Sequence, residues 1–289
     1  MAITAALVKE LRDRTGLGMM DCKKALIETD GDVERAIEEL RKKSALKAAK
    51  KAGRTTANGL LGVKVSSDGK QAAMVEVNSE TDFAAKNEKF VAFLDTALDA
   101  VFERGDNDLE KLLAAGLDAQ RETLVQEIGE NITVRRAVFF ATADGYITSY
   151  LHSDQRKGVL LELSAVNETL GRDLAMHVTA ISPSVVQSSE VAQDVLAKER
   201  EIYTAQAQES GKPPEIIEKM VEGRIRKYLA EVSLLDQPFV KDGDVKVGQL
   251  LASADVECRR FVRFEVGEGI EVAETDFAAE VAAQVKGSG

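Results

Sequence analysis

Two stretches of this chain follow one plan, and that plan restricts the fold more than any other feature. In the first, the apolar runs LLGVKV (60–65) and QAAMVEV (71–77) flank SSDGK. Such runs around an Asp68-Gly69 turn read as a β-hairpin. The spacing then becomes helical and predicts a long amphipathic helix from about Thr81 to Phe102. In the second stretch, GYITSYL (145–151), the turn HSDQRKG (152–158) and VLLELSA (159–165) lead into a helix beginning at Asn167. ITVRRAVFF (132–140) can complete the first sheet and VECRRFVRFEV (256–266) the second. Each unit is then a short antiparallel sheet with helices on one face, and the fold class is α+β.

Laying Glu76 on Glu162 without gaps compares the two units residue by residue. Thr81 meets Asn167, both able to cap a helix, and Asp82 meets Glu168, both suited to a first turn. Phe90 meets Met176, both core-like. Phe83 meets Thr169, so the shared plan does not require a large apolar group at that position. The hexapeptide ETDFAA occupies 80–85 and recurs at 274–279. Capping explains the Thr and Asp; an Asp-Phe pair presented to a partner also explains the Phe, and the overlay favours this for Phe83. In the second copy Phe277, Val281 and Val285 form one helical stripe, docked on this protein or on a partner.

Residues 4–43 read as three helices. Thr4 caps a helix carrying Leu7, Val8 and Leu11, and Gly16-Leu17-Gly18 breaks it. Met19, Cys22 and Leu26 share helical spacing in the second helix, Gly31 stops it, and Asp32 caps a third with Val33, Ala36, Ile37 and Leu40 inward. Adjacent Met19 and Met20 cannot both face one narrow core; one of them meets a partner, or simply fills the core. RKKSALKAAKKAGR (41–54) has seven basic residues and no acidic one. An RNA contact is one reading, but no aromatic residue is interleaved to stack a base, and cations suit a helix C-terminus; a solvated helix end and linker is favoured.

Between the second unit's helix and its last strand lies a long insertion. Two helical runs within roughly 187–235 are separated by Gly211-Lys212-Pro213-Pro214, which forbids one continuous helix and predicts an antiparallel hairpin. Its stripe, Ile217, Met220 or Val221, Arg224 or Ile225, Tyr228 and Val232, is too narrow for a deep core. A projecting coiled-coil hairpin serving dimerisation or a second partner is expected.

With 38 Lys plus Arg against 49 Asp plus Glu, a net charge of −11 disfavours stable nucleic-acid binding and makes a protein partner easier to support. The start MAITAALVKELRDRTG lacks a secretory pattern and no apolar run reaches membrane-spanning length, so a cytoplasmic location and no membrane contact are expected. Cys22 and Cys258 have no ligand cluster nearby and read as core residues. His177 reads as a satisfied core histidine. His152, in the second turn, is a candidate partner contact. No phosphate loop, GxGxxG, GxSxG or HExxH occurs, so no catalytic residue, cofactor or metal site is assigned.

TGLGMMDCKKAL (15–26), VEVNSETDFAAKNEKF (75–90), YLHSDQRKGVLLEL (150–163), AMHVTAISP (175–183) and QPFV (237–240) closely resemble the elongation factor Ts family. The resemblance implies a non-enzymatic guanine-nucleotide exchange factor acting on elongation factor Tu. It implies an N-terminal module like ubiquitin-associated domains, two α+β subdomains, an inserted coiled-coil hairpin and a C-terminal module. The expected boundaries are 1–54, including the basic linker, 55–140, 141–186 with 231–266, 187–230 and 267–289. It further implies that Thr81, Asp82, Phe83 and Ala84 enter the partner's G domain beside its Mg²⁺. Met19, Met20, Val240 and the C-terminal module would grip a helix of that domain, and the second subdomain would touch the partner's third domain. Ala84 stands where many relatives have Val, a change that leaves the Asp-Phe pair intact.

Overall fold

The computed structural model describes residues 3–271. Helix α1 (Ala5–Thr15) begins where the Thr4 hydroxyl accepts from the Leu7 N–H and ends at left-handed Gly16. Helices α2 (Met19–Glu28) and α3 (Val33–Lys51) follow, the latter capped by Asp32. Leu11, Cys22, Leu26, Ala36 and Leu40 close the core of this unit. Met19 corrects the expected spacing. The buried face of α2 is Cys22, Ala25 and Leu26, and both Met19 and Met20 stand exposed on its first turn, so neither fills the core.

The expected helix end accounts for the basic stretch as far as Lys51, leaving only 52–54 to serve as linker. Helix α3 runs on to Lys51, with Leu40, Ser44 and Ala48 buried at successive four-residue steps and the lysines on its other faces. Those small residues let it pack closely on the later helix at 118–128, where the Ser44 hydroxyl bonds Gln126 Oε1 (2.5 Å).

Strands β1 (Asn58–Val65) and β2 (Gln71–Ser79) form the first hairpin, and β3 (Ile132–Ala141) pairs with β2 to give the order β1-β2-β3. The single helix expected from Thr81 to Phe102 is two. Helix α4 (Asp82–Ala85) makes one turn, and α5 (Glu88–Arg104) restarts where the Asn87 side chain accepts from the Lys89 N–H (2.9 Å). Helix α6 (Leu109–Leu112) and, past a kink at Gly116, α7 (Asp118–Ile128) complete the layer. Val75, Val77, Phe90, Leu94, Val101 and Leu124 pack between helices and sheet.

The second unit has strands β4 (Tyr146–Leu151) and β5 (Lys157–Leu163) and helix α8 (Glu168–Ile181). The insertion forms a helical hairpin of α9 (Gln193–Gln208) and α10 (Pro214–Val232), packed through Tyr203, Ala207, Ile217, Val221, Ile225 and Leu229. Leu229 takes the seam position expected for Tyr228, continuing the four-residue step from Val221 and Ile225. A short ribbon, β6 (Pro238–Phe239) and β7 (Asp242–Lys246), then helix α11 (Val247–Ser253), leads to β8 (Cys258–Glu265), giving the order β4-β5-β8. Cys22 and Cys258 are both buried. The C-terminal module from 272 onward, with Phe277, lies outside the described residues.

The overlay of Glu76 on Glu162 extends to an ion-pair cluster inside each unit and to the contacts between the units. Glu76 bonds Arg135 and Arg136 on β3; Glu162 bonds Arg259 and Arg260 on β8. Arg136 lies over the Phe264 ring (4.1 Å) and Arg260 over the Phe140 ring (4.0 Å). The Leu61 N–H donates to the Gln155 carbonyl (2.8 Å), and the Ile147 N–H donates to the Gly69 carbonyl (2.7 Å). Leu61, Met74 and Phe140 meet Ile147, Leu160 and Phe264 in one apolar seam. Each contact is returned by its counterpart, as in a two-fold dimer, so the sheets pack through equivalent faces. The turns that begin at Thr81 and Asn167 are therefore equivalent positions in this pseudo-two-fold arrangement.

Candidate functional site: an exposed aromatic on a capped turn

Thr81 leaves β2 with extended backbone, and its hydroxyl accepts from the Ala84 N–H (3.2 Å). Because Asn87 caps the next helix only a few residues later, α4 has room for one turn. Ala84 and Ala85 are buried beneath it, whereas Phe83 points outward and is 80% exposed. Leaving a Phe in water forgoes roughly 1.5–3 kcal/mol of burial. Among the described residues its one ring contact with a cation is Lys86 Nζ, 5.8 Å from the centroid. The same ammonium bonds Asp82 (2.7 Å), and that hydrogen bond is the main reason the Asp82 carboxyl lies below its usual pKa. The turn thus presents an apolar ring flanked by a carboxylate and an ammonium.

Two carboxylates outside the turn hold its base. Glu130, between α7 and β3, accepts from the Thr81 N–H (2.9 Å) and the Thr81 hydroxyl (2.7 Å). Glu80 accepts from the Asn131 N–H (2.6 Å) in return, and the Asn58 side chain donates to the Glu80 carbonyl (3.0 Å).

Met19 and Met20, 59% and 75% exposed, sit just after Gly16, whose carbonyl accepts from Lys89 Nζ (3.2 Å). Lys89 is in the first turn of α5 and also pairs with Glu127 (2.8 Å). The methionine-bearing turn is thereby tied to the helix that follows Phe83. Val240 and His152 belong to the second unit instead. Val240 is exposed in the turn between β6 and β7, and its N–H donates to Nδ1 of buried His177 (3.1 Å). Burial pushes the His177 pKa down, opposed by its bond to Gln237. His152 is exposed and bonds the Tyr150 hydroxyl through Nδ1 (3.1 Å). Tyr150, Thr169, Asp173 and Lys241 share one cleft, so the Val240 turn and His152 flank the position equivalent to Phe83.

Among the described residues, no group of three or more His, Cys, Asp or Glu side chains is placed to hold a metal ion. No described helix is long and apolar enough to cross a membrane. The Cys258 thiol, pushed up to about 12 chiefly by burial, is not a nucleophile at neutral pH.

A family model for elongation factor TS matches residues 80–268, from the edge of the Phe83 turn to the loop after β8. The chain is 55% identical over 286 residues to elongation factor Ts of Hahella chejuensis, covering 99% of each. It is 55% identical over 288 residues to that of Saccharophagus degradans, covering 100% of this chain and 99% of the relative. To that of Marinobacter nauticus it is 56% identical over 282 residues, covering 98% and 97%. The chain belongs to the elongation factor Ts family. Members of that family are the guanine-nucleotide exchange factors of elongation factor Tu in translation elongation.

Sequence reasoning singled out Phe83 through its doubled motif and the overlay with Thr169, and the structure leaves that ring exposed. It missed Glu80 and Glu130. A glutamate in a loop carries no periodicity, and its partner is fixed only when distant segments meet.

Proposed function

We propose that the chain releases GDP from elongation factor Tu by inserting the Thr81–Ala84 turn beside the Mg²⁺ and phosphate site of the partner's G domain. The observation that carries this reading is the exposure of Phe83 on a turn anchored by buried Ala84 and Ala85. An aromatic side chain held this way loses little conformational entropy on entering an apolar pocket. GTPases hold GDP largely through a phosphate-binding loop and Mg²⁺, which neutralise charge on the phosphates. A wedge that shifts the Mg²⁺-ordering elements removes those contacts and speeds release. By linkage, a factor that weakens GDP binding is weakened by GDP in the same ratio, so it binds the empty partner best and leaves when GTP returns. No chemical step on this chain is required.

Met19 and Met20 suit the second contact, a helix of the G domain, because methionine adapts to irregular apolar surfaces. Val240 and the C-terminal module would join that grip, with His152 and the second subdomain meeting the partner's third domain. The α9–α10 hairpin would act as a coiled coil for self-association, and the three-helix module as a ubiquitin-associated-like unit. Exchange on the translation machinery places the chain in the cytoplasm. The test is release of labelled GDP from purified elongation factor Tu with wild-type chain and with Phe83→Ala. Undiminished release by the variant at saturation would remove Phe83 from the mechanism.

A further inference from the structure

We propose that Glu130 is a positioning residue for exchange: its carboxylate grips Thr81 and so fixes the direction in which Phe83 stands. This rests on the reading of Phe83 as the inserted group. The ring is exposed, so its position is that of the backbone from Thr81 to Ala84. Thr81 begins that segment, and its hydroxyl is used twice, accepting from the Ala84 N–H while donating to Glu130. Donation to a carboxylate makes the hydroxyl oxygen a better acceptor, so the grip strengthens the cap. The second bond, from the Thr81 N–H to the other Glu130 oxygen, fixes rotation of the turn as well as its distance.

Glu130 is itself held. It follows left-handed Gly129 at the end of α7, and the Gly129 carbonyl accepts from Lys51 at the end of α3. The neighbouring Asn131 N–H is bonded to Glu80, and the Asn131 side chain donates to the Arg54 carbonyl (2.9 Å). The turn is therefore fastened to the end of α3, the helix shared with the methionine-bearing module.

The second unit supplies an internal control. Asn167 occupies the position of Thr81 and caps α8 through the Leu170 N–H (3.2 Å). Among the described residues no carboxylate accepts from Asn167, and the exposed residue there is Thr169 rather than an aromatic. A cap alone suffices to start the helix. The added grip occurs where a ring is presented.

The experiment is a double-mutant cycle on catalysed GDP release from elongation factor Tu, with Glu130→Ala, Phe83→Ala and the double variant. Glu130→Ala is expected to lower the maximal release rate about fivefold, with a smaller change in the concentration giving half-maximal rate. Glu130→Gln, which keeps one acceptor oxygen, should lie between it and wild type. In the Phe83→Ala background, Glu130→Ala should add almost nothing, because a misdirected ring no longer matters. If Phe83→Ala slows release but Glu130→Ala does not, or if the two losses multiply, Glu130 does not act through Phe83 and the inference is overturned. If Phe83→Ala itself is without effect, the insertion reading fails and this inference falls with it. Should Glu130→Ala unfold, the Glu130→Gln cycle gives the same decision.

Discussion

Replacing Glu76 with Gln removes the one charge that two arginines of β3 share. Glu76 is fully buried on β2 and accepts from Arg136 Nε (2.5 Å), Arg135 Nη1 (3.1 Å) and the Gly267 N–H (2.9 Å). Breaking a fully buried ion pair costs roughly 3–5 kcal/mol. Here both arginine side chains keep about a quarter of their exposure (26% and 28%), and a glutamine oxygen still accepts one bond. The expected loss is therefore about 2 kcal/mol, read as a lower urea midpoint at unchanged slope. Burial alone would raise the Glu76 pKa, but the Gly267 N–H, Arg136 and Arg135 together hold it below the usual 4.5. A folded-state pKa below the unfolded one means that the contribution is present above pH 4.5 and is lost as pH falls through the folded value. The Gln variant should accordingly be less stable at neutral pH and lose less on acidification. Glu162→Gln, at the counterpart site, should cost somewhat less because Arg260 is 46% exposed. A loss for Glu76→Gln below about 0.5 kcal/mol, the scale of surface substitutions, would refute the claim that this carboxylate holds the β3 arginines and the Gly267 backbone in place.

Gly69 adopts φ +66°, and an added Cβ would come within 2.5 Å of the Tyr146 ring. Gly69→Ala should lower stability by about 1–3 kcal/mol, whereas Gln155→Gly, at the counterpart position with φ +55°, should change it by less than about 1 kcal/mol in thermal unfolding. The lowered pKa of His177 makes its contribution present above pH 6.5 and lost as pH falls from there toward the folded value; a His177→Gln variant should show a shallower stability slope between pH 7 and 5 by denaturant titration. Replacing 193–228 by a short Gly-Ser linker should leave one cooperative calorimetric transition for the sheet units, because the α9–α10 seam is a separate apolar cluster, while changing self-association in sedimentation.

What was legible in the sequence was local. Asp68-Gly69, Thr4, Asp32 and Asn167 announce turns and caps by their own chemistry, and the strand runs announce the two sheets. Asn87 was hidden because Phe83 and Phe90 stand seven residues apart, a helical spacing that masks a restart between them. The buried face of α3 was hidden because Ser44 and Ala48 are small residues among lysines, a weak burial signal. Helices α6 and α7 went unread, their few buried residues, Leu112, Leu124 and Val125, giving little periodicity. The reciprocal Arg136–Phe264 and Arg260–Phe140 contacts follow from the overlay of the two units but need the sheets face to face to be seen. The exposure of Phe83 was legible because its counterpart, Thr169, shows that the shared plan needs no large apolar group there, whereas the Glu130 grip spans 49 residues of chain and leaves no local trace.

The central claim is that exchange depends on the Phe83 ring and not on the fold that carries it. The most direct measurement is the maximal rate of labelled GDP release from elongation factor Tu with saturating Phe83→Ala chain, alongside its melting temperature. Because the ring is 80% exposed, the melting temperature should stay near that of wild type. The release rate should fall at least about tenfold, equivalent to about 1.4 kcal/mol of lost transition-state stabilisation. Wild-type release by a fully folded, saturating Phe83→Ala chain would contradict the account.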